Sequence, residues 1–414
     1  MLEQPLFGRR LRQLRTERGL TLAALAGEGM SAGYLSRLES GARRPTERAV
    51  AHLADRLGIS SAELSESAAT SLAETLALTI GLSLDESGAK LSTALESARG
   101  EDPLLRWQAL WRVAEWRRHQ GDFTEQRYRL EEMVELGTRI RLPELQARTL
   151  TALSHCARNM GEIDEAVQLA TLAYELTTDT NLPTHVRIQA LLTLTSSAAE
   201  AGHTTDAAHC ADELLAATEG TTGTQRAEAL RTAADIHVLQ GELAAAATLL
   251  KQAVTGFDGR DDPTLWIRLR IAAARLDLMA EPPRIAAARQ RVTEAGSALP
   301  FGGTAAVERQ LMYVRAWIAT LSEDAAGARE ALEELTPMEG GPEGRRVGPT
   351  DPADLLSRQD RIRIDVLRNR VLLLEGERDT AVAGLRELAA KAQHSGDMSL
   401  AAEIWRLVAE TLAG

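Results

Sequence analysis

Residues 31–45 read SAGYLSRLESGARRP, and this stretch decides how the N-terminal part of the chain folds. A serine in front of a helical segment is a favoured N-cap, and Ser31 has that place. Leu35 and Leu38 lie three positions apart on one face of a helix, and Gly41 is a typical helix end. The sequence therefore predicts one short helix with a narrow apolar face and a basic pair directly behind it.

Three further short helices are predicted around this one. Their apolar residues recur at helical spacing: Phe7, Leu11 and Leu14 in the first helix, Leu22, Leu25 and Ala26 in the second, and Val50, Leu53, Ala54 and Leu57 in the fourth. Thr21 is the predicted N-cap of the second helix, Gly27 and Gly29 break the chain before the third, and Pro45 and Thr46 start the fourth. Short helices with a tight turn between the second and the third are typical of a helix-turn-helix motif.

This part of the chain resembles a known family. The segment LRQLRTERGLTLAALAGEGMSAGYLSRLESGARRP is similar to the helix-turn-helix of the phage-repressor/Cro class, the XRE-type family, and the resemblance covers about residues 6–64. It implies that the third helix lies in the major groove of double-stranded DNA, with its N-terminal, outward residues against the base edges.

The outward residues of the third helix are the candidates for contact with DNA. The outward set is Ala32, Gly33, Ser36 and Arg37, and the other candidates are Ser31, Tyr34, Arg43 and Arg44. Tyr34 is expected either to donate to a phosphate or to pack at the edge of the groove. Arg37 has the planar donor fork that suits O6 and N7 of guanine, so we expect it to select bases. Arg43 and Arg44 are expected to contact the sugar-phosphate backbone, which adds affinity without sequence choice. For any one of these arginines, a solvated surface position is the alternative.

The resemblance also implies an internal ion pair between Arg15 and Glu39, which joins the first helix to the third. Its role is structural, because removal of one partner leaves the charge of the other unpaired. Leu22 lies where many family members carry a glutamine that contacts phosphate, so that contact is missing from this chain.

Charge is distributed unevenly along the 414 residues, which carry a net charge of −12. Residues 1–64 contain ten arginines and seven acidic residues, so their net charge is +3 and the remainder carries −15. A basic head on an acidic body indicates an anionic partner for the head alone.

The rest of the chain repeats with a period near forty residues. A turn at a glycine, with a small residue five positions later, recurs at Gly161 with Ala166, Gly202 with Ala207, Gly241 with Ala246 and Gly376 with Ala381, after a first turn at Gly121. The same spacing recurs at Glu281 with Ala286 and at Glu323 with Ala328, where a glutamate stands at the position of the glycine. Two Ala/Leu-rich helices per unit predict a solenoid of helical hairpins. The array resembles tetratricopeptide repeats with longer helices, and HEAT-type repeats are the alternative.

We therefore predict an all-α chain with an N-terminal helix-turn-helix domain over residues 1–66, a helical linker over 67–100, and a tetratricopeptide-like solenoid over 101–414 for dimerisation and ligand binding. In the linker, ATSLAETLALTIGLSL is expected to form a helix that residues 85–88 break. The Gly/Pro-rich stretch MEGGPEGRRVGPTDPAD is a predicted loop.

First helices of successive repeats line the concave side of such arrays. The candidates for ligand contact there are Trp107, Trp111, Arg158, Asn159, Arg275, Arg315, Arg368 and Asn369. Arginines and aromatic residues on one side of an acidic body suit an extended peptide or an anionic small molecule. For each of these residues, the alternative to ligand contact is a place in the protein core or on the solvated surface.

A helix-turn-helix head on a tetratricopeptide-like body resembles the bacterial regulators that respond to short signalling peptides. The resemblance implies a homodimer, a palindromic operator and an effector that controls DNA binding. A dimer is also expected because one small head contacts few phosphates, so that useful affinity needs two half-sites. The C-terminal segment MSLAAEIWRLVAETLA is expected either to dimerise or to cap the last repeat.

Asparagines that hold a peptide backbone are prominent in those regulators and scarce in this chain. A non-peptide metabolite and a partner protein therefore remain alternative ligands of the groove. The alternative function is an interaction scaffold whose solenoid recruits a partner protein. The chain is rich in arginine and alanine, and this composition suggests that it comes from a bacterial genome of high GC content.

Other classes of function are disfavoured. The sequence contains no Walker phosphate loop, no Gly-x-Ser-x-Gly motif and no zinc-ligand spacing, so we expect no enzyme activity, no catalytic residues, no metal and no cofactor. No apolar run approaches the ~20 residues that cross a bilayer, and no signal peptide is present. With Cys156 and Cys210 expected as reduced thiols, the expected location is the cytoplasm, in association with the nucleoid.

Overall fold

The structure, a computed structural model, describes residues 4, 6–61, 64, 72–97, 102–335, 358–394 and 398–413. Every regular element within these ranges is a helix, which confirms the all-α class. By compactness the chain divides into two units, Met1–Trp116 and Arg117–Gly414. The predicted Gly/Pro-rich loop, residues 338–354, lies outside the described residues.

The first unit begins with four short helices around one core. They are α1 (Leu6–Glu17), α2 (Leu22–Ala26), α3 (Ala32–Glu39) and α4 (Glu47–Leu57). Each contributes a leucine that solvent does not reach: Leu11, Leu25, Leu35 and Leu53. The apolar positions that the helical spacing assigns to this core are buried, except Leu22, which is half-buried. This is the predicted helix-turn-helix fold.

Hydroxyl side chains start three of these helices where the sequence predicts. Thr21, Ser31 and Thr46 each accept a hydrogen bond from the amide three residues on, at 3.1, 3.1 and 3.3 Å. Each bond satisfies an amide at the helix N-terminus that has no partner inside the helix. Gly58 ends α4 with a φ of 68°, in the left-handed region that glycine adopts most readily.

The linker contains two helices and not one broken helix. They are α5 (Leu72–Leu78) and α6 (Leu84–Ser97). The predicted break at residues 85–88 is wrong, because these residues form the first turn of α6. Ser83 Oγ accepts from the Glu86 amide at 3.3 Å and the Glu86 carboxylate accepts from the Ser83 amide at 3.4 Å, which is a capping box. The chain turns earlier, at Gly81, whose φ is 83°.

The first helix of the repeats, α7 (Pro103–Gln120), contacts α6 within the first unit. The Trp116 indole donates its N–H to Asp85 Oδ1 at 2.9 Å. Its ring covers Gly88 so closely that a Cβ at this position would lie 2.3 Å from Trp116 Cγ. Gly88 is therefore required for the contact between two helices and does not mark a helix end.

The second unit is a stack of helical hairpins. Its helices after α7 are α8 (Phe123–Ile140), α9 (Pro143–Met160), α10 (Ile163–Asp179), α11 (Thr184–Glu200), α12 (Thr204–Ala217), α13 (Thr224–Leu239), α14 (Leu243–Gly256), α15 (Pro263–Met279), α16 (Ile285–Gly302), α17 (Ala305–Leu321), α18 (Ala325–Leu335), α19 (Arg358–Leu374), α20 (Arg378–His394) and α21 (Met398–Ala413). From α9 onward each odd-numbered helix pairs with the next helix, and α21 packs on α20. This confirms the predicted tetratricopeptide-like solenoid.

Most hairpins turn through a residue in the left-handed region. The φ values are 83° at Gly161, 79° at Gly202 and 79° at Gly241, as the turn pattern predicts. Glu323 adopts a φ of 58° without being a glycine. The small residue five positions later, for example Ala166, is completely buried, which lets the second helix of a hairpin approach the first.

One repeat departs from the predicted register. Ala286 is exposed, and Ala288 is completely buried in its place. The connection between α15 and α16 spans residues 280–284 and contains Pro282 and Pro283, which cannot donate the backbone bonds of a helix. The connection is therefore longer than at the glycine turns, and the buried small residue moves with the start of α16.

The first helices line the inner side of the stack. Consecutive first helices, from α9 and α11 to α17 and α19, contact each other, whereas consecutive second helices make no comparable contact within the described residues. Elements on the inner side of a curved stack lie closer together than those on the outer side. The concave side therefore belongs to the first helices of the hairpins, the odd-numbered helices from α9 to α19, as expected for a helical solenoid.

The apolar stripe of the C-terminal helix α21 belongs to the last hairpin. Leu400, Ile404 and Val408 are buried in one cluster with residues of α20, and Leu407 is partly buried there. Leu412 is exposed at the end of the helix. These contacts cap the last repeat, which is one of the two roles that the sequence suggests for this stripe.

Candidate DNA-contacting surface and concave groove

The outward residues predicted for α3 lie together on one side of the helix, whereas Tyr34 is half-buried and packs against the core. Ala32, Gly33, Ser36 and Arg37 are exposed, whereas the leucines on the opposite side of the helix are completely buried. No atom lies within 4 Å of a Cβ built on Gly33, so the helix surface is open at this point. Ser31 is exposed as well while it caps the helix. This face of α3 has the shape and exposure to enter a DNA groove.

The basic segment behind α3 folds back beside the helix. Arg43 Cζ lies 4.8 Å from the centre of the Tyr34 ring, within cation–π distance. The Arg43 amide donates to the Arg37 carbonyl at 3.1 Å. Gln4, which the sequence did not single out, donates from Nε2 to the carbonyls of Leu38 at 3.1 Å and Arg43 at 2.6 Å. These contacts hold Arg43 next to the N-terminal turns of α3.

Arg15 and Glu39 form a bidentate ion pair between α1 and α3. The Nε–Oε1 distance is 2.6 Å and the Nη2–Oε2 distance is 3.0 Å. Arg15 Nη1 also donates to the Leu20 carbonyl at 2.8 Å. The hydrogen bond with Glu39 raises the pKa of Arg15. Because the carboxylate of Glu39 is neutralised inside the domain, it adds little negative potential to the exposed face of α3.

The other basic side chains of this surface carry uncompensated charge. Arg37 and Arg44 form no ion pair with any residue in the described ranges. Guanidinium groups without a carboxylate partner attract phosphate and release counterions when they bind it. The surface formed by α3 and residues 43–44 is therefore suited to an anionic polymer.

In the second unit, His155 on α9 faces the concave groove. Solvent reaches one part of the ring from the groove while protein atoms surround the rest, and its Nε2 lies 3.0 Å from Thr193 Oγ1 on the next first helix. Desolvation, followed by the positive charges of Arg158, Arg118 and Arg268, lowers the pKa of His155 to about 3. Since these arginines belong to α9, α7 and α15, the charges of side chains from distant repeats act on the same ring.

Positive charges are crowded in this groove, and acidic residues offset them in part. The neighbouring Arg231, and after it desolvation, lowers the pKa of Arg268 to about 10. Glu228 Oε1 lies 3.8 Å from Arg268 Nη1, and Arg231 pairs with Asp235 at 2.6 Å. A groove that presents guanidinium and carboxylate groups side by side can bind a ligand that carries both charges.

The predicted groove residues do not share one surface. Arg158 pairs with Glu200 on α11 at 3.0 Å, and Asn159 is exposed next to it. Trp107 and Trp111 stack in the first unit with ring centres 5.3 Å apart. Trp107 is buried, so its ring contributes to packing. Of these four residues, only Arg158 and Asn159 belong to the second unit.

Two candidates near the C-terminus are engaged in local contacts. Asn369 donates to the Asp365 carbonyl at 2.8 Å, and its Oδ1 lies 2.1 Å from the position of a Cβ on Gly384. The Asn369 side chain therefore packs between α19 and α20. Arg368 pairs with Asp365 at 2.5 Å.

The last two candidates lie on α15 and α17. Arg275 is half-buried on α15. Arg315 is exposed on α17 and extends toward α16, where its Nη2 lies 3.1 Å from the position of a Cβ on Gly296. Because α16 is a second helix, this direction leads Arg315 away from the groove residues around His155.

Sequence reasoning missed Arg118, Arg231 and Glu228, which belong to the groove. A usable signal was present, since Glu228 and Arg268 lie one repeat length apart in consecutive first helices. Residues at the same register of adjacent repeats are neighbours in a solenoid. The relation of His155 to Arg268 has no such signal, because it depends on the curvature of the whole stack.

Comparison with known proteins agrees with both parts of this architecture. Residues 6–67 match the family model of a helix-turn-helix domain. No curated protein matches the chain. The structure of Rap protein complexed with Competence and Sporulation Factor has a TM-score of 0.52 at 11% sequence identity and covers 98% of this chain and 97% of that chain. At this identity the likeness shows the helical-repeat fold alone.

Two further solved structures are similar at lower scores. The apo form of the quorum sensor NprR from B. thuringiensis has a TM-score of 0.48 and 12% identity, and covers 97% of both chains. Bacillus thuringiensis PlcR in complex with the peptide PapR7 and DNA has a TM-score of 0.37 and 14% identity, and covers 71% of this chain and 94% of that chain.

No helix within the described ranges has both the length and the apolar character that a bilayer crossing requires.

Proposed function

We propose that this protein is a sequence-specific, DNA-binding transcription regulator of the XRE type. The observation that carries the proposal is the open face of α3, on which Arg37 and the adjacent Arg43 and Arg44 present positive charge in a chain that is acidic elsewhere. The helix-turn-helix match over residues 6–67 supports it. In this docking mode α3 enters the major groove and the basic segment contacts the backbone.

The regulator acts as a homodimer on a palindromic operator. A single domain of this size contacts few phosphates, so specific affinity requires two half-sites about 34 Å apart. Light scattering of the full chain measures the dimer. DNA with one half-site is expected to bind far more weakly than DNA with two.

The test begins with a selection of DNA sequences bound by the full chain. Arg37→Ala is expected to lower the preference for the selected operator over random DNA by about 1–3 kcal/mol, because the bidentate base contact is lost. Arg37→Lys retains the charge and is expected to lose that preference while it keeps affinity for random DNA. The double variant Arg43→Ala/Arg44→Ala should weaken all sequences alike.

Absence of salt-sensitive binding to any duplex would contradict the proposal. In that case the solenoid remains as the functional part, and the chain is an interaction scaffold that recruits a partner protein. Capture of a specific protein by the solenoid, with no DNA in the complex, would support this second function.

The concave groove binds a signalling peptide or a small-molecule effector that controls DNA binding. Support comes from the groove around His155, where Arg268, Arg231 and Glu228 place charges of both signs, as the termini and side chains of a peptide require. A fractionated extract of cells that produce this protein is titrated into the full chain, and the affinity of the chain for operator DNA is measured. The double variant Glu228→Gln/Arg268→Gln should lose the response and keep basal DNA binding.

A further inference from the structure

A separate cavity lies between α16, α17 and the start of α18. Its volume is about 400 Å³, within the range of sites for small molecules. Arg289, Thr293 and Ser297 of α16 line one side, and Arg315 of α17 and Asp324 in front of α18 line the other. The cavity therefore combines two cations with hydroxyl and carboxylate oxygens.

Both arginines of the cavity have no carboxylate partner among the described residues. Arg289 Nη2 lies 3.3 Å from Ser322 Oγ, and Arg315 Nη1 lies 3.7 Å from a methionine sulfur. Arg291, on the same helix as Arg289, behaves differently and pairs with Asp277 at 2.7 Å. In a chain with 59 acidic and 47 basic residues, an arginine has many possible partners. Two unpaired guanidinium groups at one cavity point to an anion from outside the chain.

A glycine positions Arg315 at this cavity. Its Nη2 lies 3.1 Å from the position that a Cβ on Gly296 would occupy. The absence of a side chain at Gly296 lets the guanidinium lie directly on α16. In this place Arg315 lines the same cavity as Arg289. A planar guanidinium is suited to bidentate contact with carboxylate or phosphate.

The hydroxyl groups of the cavity face it as acceptors. Thr293 Oγ1 donates to the Arg289 carbonyl at 2.9 Å, and Ser297 Oγ donates to the Glu294 carbonyl at 2.7 Å. Since their hydrogens are used inside α16, the lone pairs of both oxygens are available for donors of a ligand. Asp324 accepts from the Gly327 amide at 2.9 Å and has further acceptor capacity.

We propose that this cavity binds a small oxyanionic metabolite, with its carboxylate or phosphate between Arg289 and Arg315 and with hydroxyl or amino groups that donate to Thr293, Ser297 and Asp324. This site is separate from the groove around His155 and does not depend on DNA binding by α3.

Thermal unfolding of the full chain tests the site, with inorganic phosphate and acetate as separate probes at constant ionic strength. Phosphate also stabilises proteins by exclusion from their surface, and that effect grows steadily with concentration. The expected result is a saturable rise in Tm with at least one probe, and the probe that saturates identifies phosphate or carboxylate as the preferred group. Arg289→Gln and Arg315→Gln are each expected to abolish the saturable part.

Arg386→Gln is the matched control, because Arg386 is exposed on α20 and its loss changes the net charge by the same amount. This control should respond like the wild type. Arg315→Lys should retain a weaker response, since the charge stays and the planar fork is lost. The proposal is overturned if neither anion gives a saturable rise, or if Arg289→Gln and Arg315→Gln respond like Arg386→Gln.

Discussion

The guanidinium of Arg43 is held over the ring of Tyr34, with Cζ 4.8 Å from the ring centre. This contact connects the first turn of α3 to the basic segment that follows the helix. It orders a flexible arginine before DNA arrives, so less side-chain entropy is lost when Arg43 contacts a phosphate.

Tyr34→Ala is expected to weaken binding to operator and random DNA alike by about 0.5–1 kcal/mol, the usual contribution of an exposed cation–π contact. Tyr34→Phe keeps the ring and should bind close to the wild-type level. Fluorescence anisotropy with labelled duplexes measures both. Tyr34 would be assigned a direct phosphate contact instead if Tyr34→Phe lost as much affinity as Tyr34→Ala.

The salt dependence of DNA binding reports the phosphate contacts of the basic segment. Removal of Arg43 and Arg44 together should lower the slope of log affinity against log salt by about 1.8, since each phosphate contact contributes ~0.9. Anisotropy titrations over a range of salt concentrations measure the slope. An unchanged slope in Arg43→Ala/Arg44→Ala would mean that these side chains do not contact the backbone.

The ion pair of Arg15 and Glu39 is expected to stabilise the helix-turn-helix domain. Glu39→Gln leaves the guanidinium of Arg15 without its anion in a site where the two side chains are 13% and 7% exposed. Breaking such a pair costs about 3 kcal/mol. Hydrogen exchange of peptides from α1 and α3 in the full chain measures this loss locally. Arg15→Met/Glu39→Leu should recover most of the protection, and equal exchange in wild type and Glu39→Gln would refute a stabilising role.

Gly88→Ala should disrupt the packing of α6 on Trp116. The added Cβ would lie 2.3 Å from Trp116 Cγ, so helix or ring must move, at a cost of about 1–3 kcal/mol. Faster hydrogen exchange in α6 and a change in tryptophan fluorescence are the expected signs. Gly256→Ala is the control, because it lies in α14 with no atom within 4 Å of the new Cβ. Equal behaviour of the two variants would show that α6 does not depend on this contact.

Titration of His155 is expected to make the stability of the folded chain depend on pH. Its pKa is about 3 in the folded chain and ~6.5 when unfolded. Between these values the unfolded state binds more protons, so stability falls as pH decreases through this window and does not change with this group above ~pH 7. Arg158, Arg118 and Arg268 disfavour the charged ring, and Thr193 contacts its Nε2.

His155→Gln removes this titration, so the Tm of the wild type should fall further than the Tm of the variant between pH 7.5 and pH 5. The difference between the two proteins isolates His155 from the many carboxylates that titrate nearby. A difference that is the same at both pH values would show that the ring is protonated as easily in the folded chain as in the unfolded one.

Local features of the chain were predictable because neighbours in sequence create them. Ser31 and Thr21 cap the helices that follow them, and Gly161 turns between two helices of a repeat. The same local pattern predicts a break of the linker at residues 85–88, and this prediction is wrong because Gly88 lies inside α6. Only the ring of Trp116 explains why position 88 has no side chain.

Spacing, capping and charge are properties of short segments, so they are enough to predict the helix-turn-helix, the period of the solenoid and the separation of a basic head from an acidic body. Which side chains meet across the array depends on how the hairpins pack in three dimensions. This packing brings Arg268 near His155, more than a hundred residues away, and leads Arg315 to Arg289 on the neighbouring helix. These relations depend on the curvature that accumulates over stacked hairpins, and no short segment of the chain contains that information.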